Sequence, residues 1–177
     1  MNICKHHPLE KFHFCPVCGS EHFNIHDEKS KKCADCGFEY YFNPSAAYVA
    51  LIVNEKGELL VCRRKKEPAR DTLDLPGGFA DCGETGEEGV AREVKEETGL
   101  IVTSTQYVFS LPDTYLYSDF LVHTLDSFYI CRVEDYKHLQ AHDDAAALYW
   151  ISIKDLEPEK FGLDSIREGI RKIKESF

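Results

Sequence analysis

No stretch of this chain approaches the roughly 20 consecutive apolar residues that a membrane-crossing helix needs, which excludes a helical membrane protein. The opening residues, MNICKHHPLEKF, lack the apolar core of a secretion signal. No internal repeat and no low-complexity segment occurs. Positive charge is in short supply: 21 lysines and arginines face 31 aspartates and glutamates, a net charge of −10. A protein that depends on clamping nucleic-acid phosphates needs the opposite balance. The first 43 residues contain no arginine, and their five lysines are outnumbered by six acidic residues, so no basic stripe runs there. His6, His7, His13, His22 and His26 add little charge at neutral pH. The expectation is a cytoplasmic protein with no nucleic-acid and no membrane partner. Small phosphorylated ligands remain compatible, because bound divalent cations would supply the positive charge locally.

Cysteine is the residue present in excess. Eight of them without a secretion signal point to a reducing compartment and to metal rather than disulfides. Four are paired, Cys15-Pro-Val-Cys18 and Cys33-Ala-Asp-Cys36, and each pair is followed by a glycine, Gly19 or Gly37. Glycine suits the tight turn that directs backbone amides at thiolates. Two such knuckles, with 14 residues between them, read as a Cys4 zinc ribbon. An all-cysteine tetrahedron leaves no open coordination position, so this zinc is expected to be structural. A redox dithiol would sit in βαβ surroundings, which the flanking sequence does not offer. Cys4, Cys62, Cys82 and Cys131 are unpaired in sequence and read as buried or incidental.

The densest chemistry lies in GFADCGETGEEGVAREVKEETGL, Gly78 to Leu100. Residues three and four apart share a helix face, so Glu93, Glu96 and Glu97 are expected to point into one small volume. Three anions held together repel unless protons or cations neutralise them, and a set of carboxylate oxygens suits Mg²⁺ or Mn²⁺ better than zinc. Before this segment, TLDLP (Thr72 to Pro76) reads as a strand, and Gly77-Gly78 as a sharp turn that lets the backbone approach a ligand closely. Thr85 and Glu88 form a capping-box pair that starts a helix near Gly86, and Gly99 stops it. Arg92 is placed to orient the glutamates from the flank, and its spacing to Glu96 permits an ion pair.

The segment resembles the Nudix box, GX5EX7REUXEEXGU, without departure: Gly78, Glu84, Arg92-Glu93-Val94, Glu96-Glu97 and Gly99-Leu100 all fall in register. Seven fixed identities at about 7% each match by chance on the order of once in a hundred million start positions. The resemblance implies an α/β/α sandwich with a mixed sheet, and hydrolysis of a nucleoside diphosphate linked to another group. It makes Glu96 and Glu97 magnesium ligands and Glu93 a ligand or the general base. A backbone carbonyl near Gly77 joins them, and Glu84 acts through a second metal or a bound water. In some members a distant acidic residue on a loop is the base, a part open here to Asp143 or Asp144. Many relatives carry a glutamate a few residues later, where this chain has Ala145-Ala146-Ala147.

The remaining chain fits one domain plus a small appendage, since 177 residues can bury roughly 70% of their unfolded surface. The ribbon is expected to span residues 1–44 and the hydrolase domain 45–177. A β-hairpin is expected from AYVALIVN (Ala47 to Asn54) and ELLVCRR (Glu58 to Arg64), turning at Glu55-Lys56-Gly57. The cluster Arg63, Arg64, Lys65, Lys66 and Arg70 faces either a substrate phosphate, with Arg64 as the binding candidate, or solvent. TSTQYVFSLP and TLDSFYICRV read as strands joined by a loop rich in Tyr and Asp, in which Tyr115, Tyr117 and Phe120 offer stacking surfaces or sheet packing. A short helix at Ile153 to Leu156 is expected, then a last helix opened by Ser165 and Glu168, with Ile166, Ile170, Ile173 and Phe177 as its core stripe.

A ribbon joined to a Nudix domain looks like the architecture of NADH pyrophosphatases, which carry SQPWPFP about ten residues after the box. Here only Ser110 and Pro112 of that pattern survive. FAD and ADP-ribose pyrophosphatases are the other resemblance, so the expected substrate is an NADH, ADP-ribose or FAD type of compound cleaved to two monophosphates. Gly78, Arg64, Tyr115 and Tyr117 are the substrate-binding candidates. The rival reading is a non-catalytic nucleotide-sensing module that regulates a partner. The ribbon is read as structural or as the seat of a homodimer contact.

Overall fold

The computed structural model describes residues 7–141 and 145–176. Its N-terminal part is too small to bury an apolar core of its own. Strands β1 (Phe23–Ile25), β2 (Ser30–Cys33) and β3 (Glu39–Tyr41) form an antiparallel sheet whose interior is little more than Cys15, Phe23 and Cys33 with Phe38 against them. Such a unit needs a cross-link or a metal for stability.

The larger part begins with strand β4 (Ser45–Leu51) and strand β5 (Glu58–Arg64), whose apolar runs demand cover on both faces. The expected hairpin between them is reduced to one bridge, Val53 with Leu59, because the two strands enter different sheets. Strand β6 (Leu73–Asp74) is shorter than expected. Residues 77 and 78, expected to form a turn, instead open strand β7 (Gly77–Phe79), which pairs with β4. After helix α1 (Gly86–Thr98), strands β8 (Val102–Tyr117) and β9 (Phe120–Val133) form a long hairpin, followed by β10 (Ala145–Ser152). One sheet has the order β10-β5-β6 and the other β7-β4-β9-β8. The β4–β9 pairing is parallel and the others are antiparallel, giving a mixed architecture. Short 3₁₀ turns at Ile153–Asp155 and Pro158–Lys160 lead into helix α2 (Asp164–Ser176).

The expected Tyr- and Asp-rich loop is not a loop. Pairing continues unbroken to Tyr117 opposite Phe120, and the chain reverses at Ser118-Asp119, both with positive φ. Tyrosine favours strands, and a two-residue turn with both centres at positive φ matches the twist of the flanking strands. Tyr115 and Tyr117 therefore stand on β8.

Successive strand residues face opposite sides, and that alternation sorts the core into two layers. Tyr48, Ala50, Ile52, Leu60 and Tyr129 pack with Val90 and Val94 of α1. Val49, Leu51, Leu59, Val61 and Phe128 pack with Ile166, Ile170 and Ile173 of α2. The ribbon leans on the hairpin tip, where the Phe12 and Phe42 rings meet Phe120 edge-on at 5.8 and 6.3 Å, and Lys11 pairs with Asp119.

Candidate active site

Helix α1 begins where its caps dictate. The Thr85 hydroxyl accepts from the Glu88 amide at 3.2 Å, and the Glu88 carboxylate accepts from the Thr85 amide at 2.9 Å. At the far end Gly99 adopts φ 73° and its amide donates to the Lys95 carbonyl at 2.9 Å. Val90 and Val94 fix the buried face, and Glu97, three residues past Val94, follows them inward to 8% exposure.

Arg92 organises the other glutamates. Its Nε and Nη2 donate to the two oxygens of Glu84 at 3.0 and 2.8 Å, and Nη1 donates to Glu93 at 2.8 Å and Glu96 at 3.1 Å. Nη2 also donates to the Phe79 carbonyl at 3.1 Å, which ties the helix to β7. The paired guanidinium, helped by the Asp81 amide, pulls the Glu84 carboxyl down to about 2. Burial pushes the Glu93 carboxyl upward against the opposing pull of Arg92.

Glu97 turns elsewhere, accepting from the Gly77 amide at 3.1 Å. The expected single volume shared by Glu93, Glu96 and Glu97 is therefore divided: Arg92 stands among Glu84, Glu93 and Glu96, and the backbone of β7 takes Glu97. Glycine is required on that strand for closeness. A Cβ on Gly77 would lie 2.0 Å from the Tyr48 carbonyl oxygen, and one on Gly78 would lie 2.6 Å from the Glu93 carboxylate. Carboxylate oxygens on adjoining positions of α1 and beside β7 are the hard donors a divalent cation takes, although among the described residues they do not converge as closely as the four cysteines do.

Beside β7 a cleft of about 350 Å³ opens between the two sheets. Gly77, Gly78, Glu97, Arg64, Tyr115 and Tyr117 line it, whereas Glu84, Glu93 and Glu96 stand around Arg92 outside the lining. Of the basic cluster, Arg64, Lys65 and Lys66 reach the cleft. Arg64 is already engaged there, pairing with Asp74 and donating through Nε to the Pro68 carbonyl at 2.7 Å. Arg63 instead lies over the Tyr149 ring, and Arg70 pairs with Asp71 at 3.7 Å. Asp143 and Asp144 lie outside the described residues. The last helix starts at Asp164, one residue before the expected Ser165, which stands in the first turn of α2, is 1% exposed and donates to Asp126.

The cleft also contains Asp74, Phe79, Thr124 and Asp126, which the motif reading passed over. A signal existed for Asp126, since period-two alternation puts it on the same face as Phe128 and Ile130. A carboxylate on an inward strand face marks a buried polar site.

At the opposite end, the four Sγ atoms of Cys15, Cys18, Cys33 and Cys36 lie within 4.8 Å of one another. Cys15–Cys36 and Cys18–Cys33 are each 3.6 Å apart, close to the edge of a tetrahedron with Zn–S bonds of about 2.3 Å. The two knuckles are alike: Gly19 and Gly37, at φ 74° and 75°, donate to the carbonyls of Cys15 and Cys33. The residues fit zinc. Among the described residues this is the one group of acidic, histidine or cysteine ligands that converges so closely.

Residues 43–173 match the model of the NUDIX domain. The chain is 37% identical over 131 residues to an ADP-ribose pyrophosphatase of Methanocaldococcus jannaschii, covering 73% of this chain and 74% of that protein. It is 31% identical over 106 residues to the NAD-capped RNA hydrolase NudC of Vibrio cholerae, covering 60% of this chain and 39% of the relative. A Nudix hydrolase from Nitrosomonas europaea has the same fold, with a TM-score of 0.71 and 19% identity over 92% of this chain and 90% of that one. The chain belongs to the Nudix hydrolase family. No helix among the described residues is long and apolar enough to cross a membrane.

Proposed function

We propose that the protein is a Mg²⁺-dependent pyrophosphohydrolase that cleaves the diphosphate of ADP-ribose- or NADH-type compounds into two monophosphates, in the cytoplasm. The observation that carries this reading is the set of box glutamates at the junction of α1 with β7, of which Glu97 lines the adjoining cleft of about 350 Å³. The similarity to an ADP-ribose pyrophosphatase and to NudC supports the substrate class.

A diphosphate is anionic and repels hydroxide, so its hydrolysis requires neutralised charge and a deprotonated water. Bound Mg²⁺ (or Mn²⁺) supplies both. Glu93, Glu96, Glu97 and Glu84, with the Gly77 carbonyl, would hold it. Arg92 keeps three of those carboxylates in place, and the Gly77 amide keeps the fourth. Gly78 brings the backbone against the diphosphate, Arg64 forms part of the wall, and Tyr115 and Tyr117 offer aromatic faces to the rest of the substrate. We assign residues 1–44 to a structural zinc ribbon and 45–177 to the hydrolase domain. A purely regulatory module would have no need for a complete set of box glutamates.

The test is a panel run with purified protein and Mg²⁺: ADP-ribose, NADH, FAD, an NAD-capped oligonucleotide and nucleoside triphosphates. The diphosphate-linked compounds are expected to yield two monophosphates. Turnover confined to a simple triphosphate would refute the substrate class.

A further inference from the structure

Asp126 lines the cleft without an ion-pair partner, although Arg64, Lys65 and Lys66 line the same cleft. It is 6% exposed, and the nearby guanidinium of Arg64 is committed to Asp74. Among the described residues no ion pair includes it. Its Oδ2 accepts from Ser165, whose hydroxyl stands between Asp126 and the Asp113 carboxylate, 3.3 Å away. The first turn of α2 thus pins the carboxylate from behind and leaves its other side along the cleft. Beside it Thr124 is 4% exposed and lines the cleft; its hydroxyl makes no hydrogen bond of standard geometry but lies near enough to the Asp126 carboxylate to favour its charged form. A buried carboxylate without a counterion destabilises a fold. The carboxylate is understandable there if a ligand's donor completes it.

The sheet register says which part of a ligand arrives there. Asp126 pairs with Ala47, and Ala47 with Phe79, the residue after Gly78. Two strand spacings of about 4.8 Å separate it from β7. Thr124, then Tyr115 opposite Val122, then Tyr117 opposite Phe120 follow toward the hairpin tip. From Gly77 outward the cleft therefore presents metal-ligating chemistry, then hydroxyl-binding chemistry, then aromatic faces. A nucleoside diphosphate presents diphosphate, sugar and base in the same order.

We propose that Asp126 and Thr124 are the seat of the ribose in the nucleoside half of the substrate. The carboxylate accepts from a ribose hydroxyl, Thr124 completes the contact, and the base lies beyond against Tyr115 and Tyr117. Ser165 and Asp113 are positioning residues. The inference rests on the diphosphate reading above.

The test compares ADP-ribose with two analogues: one whose nucleoside is 2′,3′-dideoxyadenosine, and one whose terminal sugar ring carries no hydroxyls. Hydrolysis and equilibrium binding are both measured with Mg²⁺. The wild type should lose about 10- to 100-fold in kcat/KM on the dideoxynucleoside compound, the scale of a hydrogen bond to a charged group, and little on the other. Asp126→Asn should shrink that preference to below about threefold, with the loss in KM rather than kcat. It should not lower thermal stability, whereas a carboxylate with only a structural role would. Equal treatment of ADP-ribose and the dideoxynucleoside compound by the wild type overturns the proposal without any variant. So does a loss confined to the analogue altered in the terminal sugar. If nothing is hydrolysed but ADP-ribose still binds better than the dideoxynucleoside compound, the activity reading fails and the ribose seat stands. Equal or absent binding removes the seat.

Discussion

At the scale of single residues, burial sets the behaviour of the acidic groups. Desolvation pushes the Asp126 carboxyl above its ordinary range, opposed by the hydroxyls of Ser165 and Thr124 and reinforced by Asp113. Asp74, Arg64 and Tyr115 act in the same field, and Lys65, Lys66, Glu67 and Glu97 line the same cleft. A carboxyl whose folded pKa is raised favours the folded state most below its unfolded pKa of about 3.9, and that advantage is lost as pH rises through the folded value. Asp126→Asn, which cannot ionise, should therefore gain stability relative to wild type at neutral pH. The gap should narrow as pH falls toward about 4. Thermal melts of the two proteins across that range measure it, and a gap that widens on acidification would contradict the assignment. The box residues were legible in the sequence because their identities and spacing are fixed by chemistry. Asp126 was not, because a lone aspartate in a strand becomes informative only when the fold shows what surrounds it.

At the scale of elements, legibility followed local chemistry. Helix α1 begins and ends where Thr85, Glu88 and Gly99 place it, since capping is decided within a few residues. The stripe Ile166, Ile170 and Ile173 is buried as its period requires. Gly77 and Gly78 were expected to give both a sharp turn and a close backbone approach; they lie on a strand instead of a turn, and the close approach is to Tyr48 and Glu93. The β8–β9 hairpin misled because its Ser118-Asp119 turn lacks the usual glycine, so the flanking tyrosines read as loop. The split of β4 and β5 between two sheets is a long-range choice, made by the parallel partner β9, that no local pattern encodes.

At the scale of the whole molecule, the two ends of the chain rely on different sources of stability. The hydrolase part has two apolar layers, and the ribbon has four cysteines around a single phenylalanine layer. About one zinc per chain is expected on elemental analysis of protein purified without chelator. Cys33→Ser should release it and unfold the ribbon, weakening the Phe12 and Phe42 contacts with the hairpin tip. Absence of zinc, or loss of chemistry with zinc and folding intact, would contradict a structural role. The central claim lies in α1, and Glu97→Gln tests it most directly. The substitution keeps the shape of the side chain and an oxygen able to accept from the Gly77 amide, but removes the charge. Hydrolysis of ADP-ribose with saturating Mg²⁺ should fall by about 10²-fold or more, while the circular dichroism spectrum and melting temperature remain those of a folded protein. Near wild-type turnover by that folded variant would contradict the account.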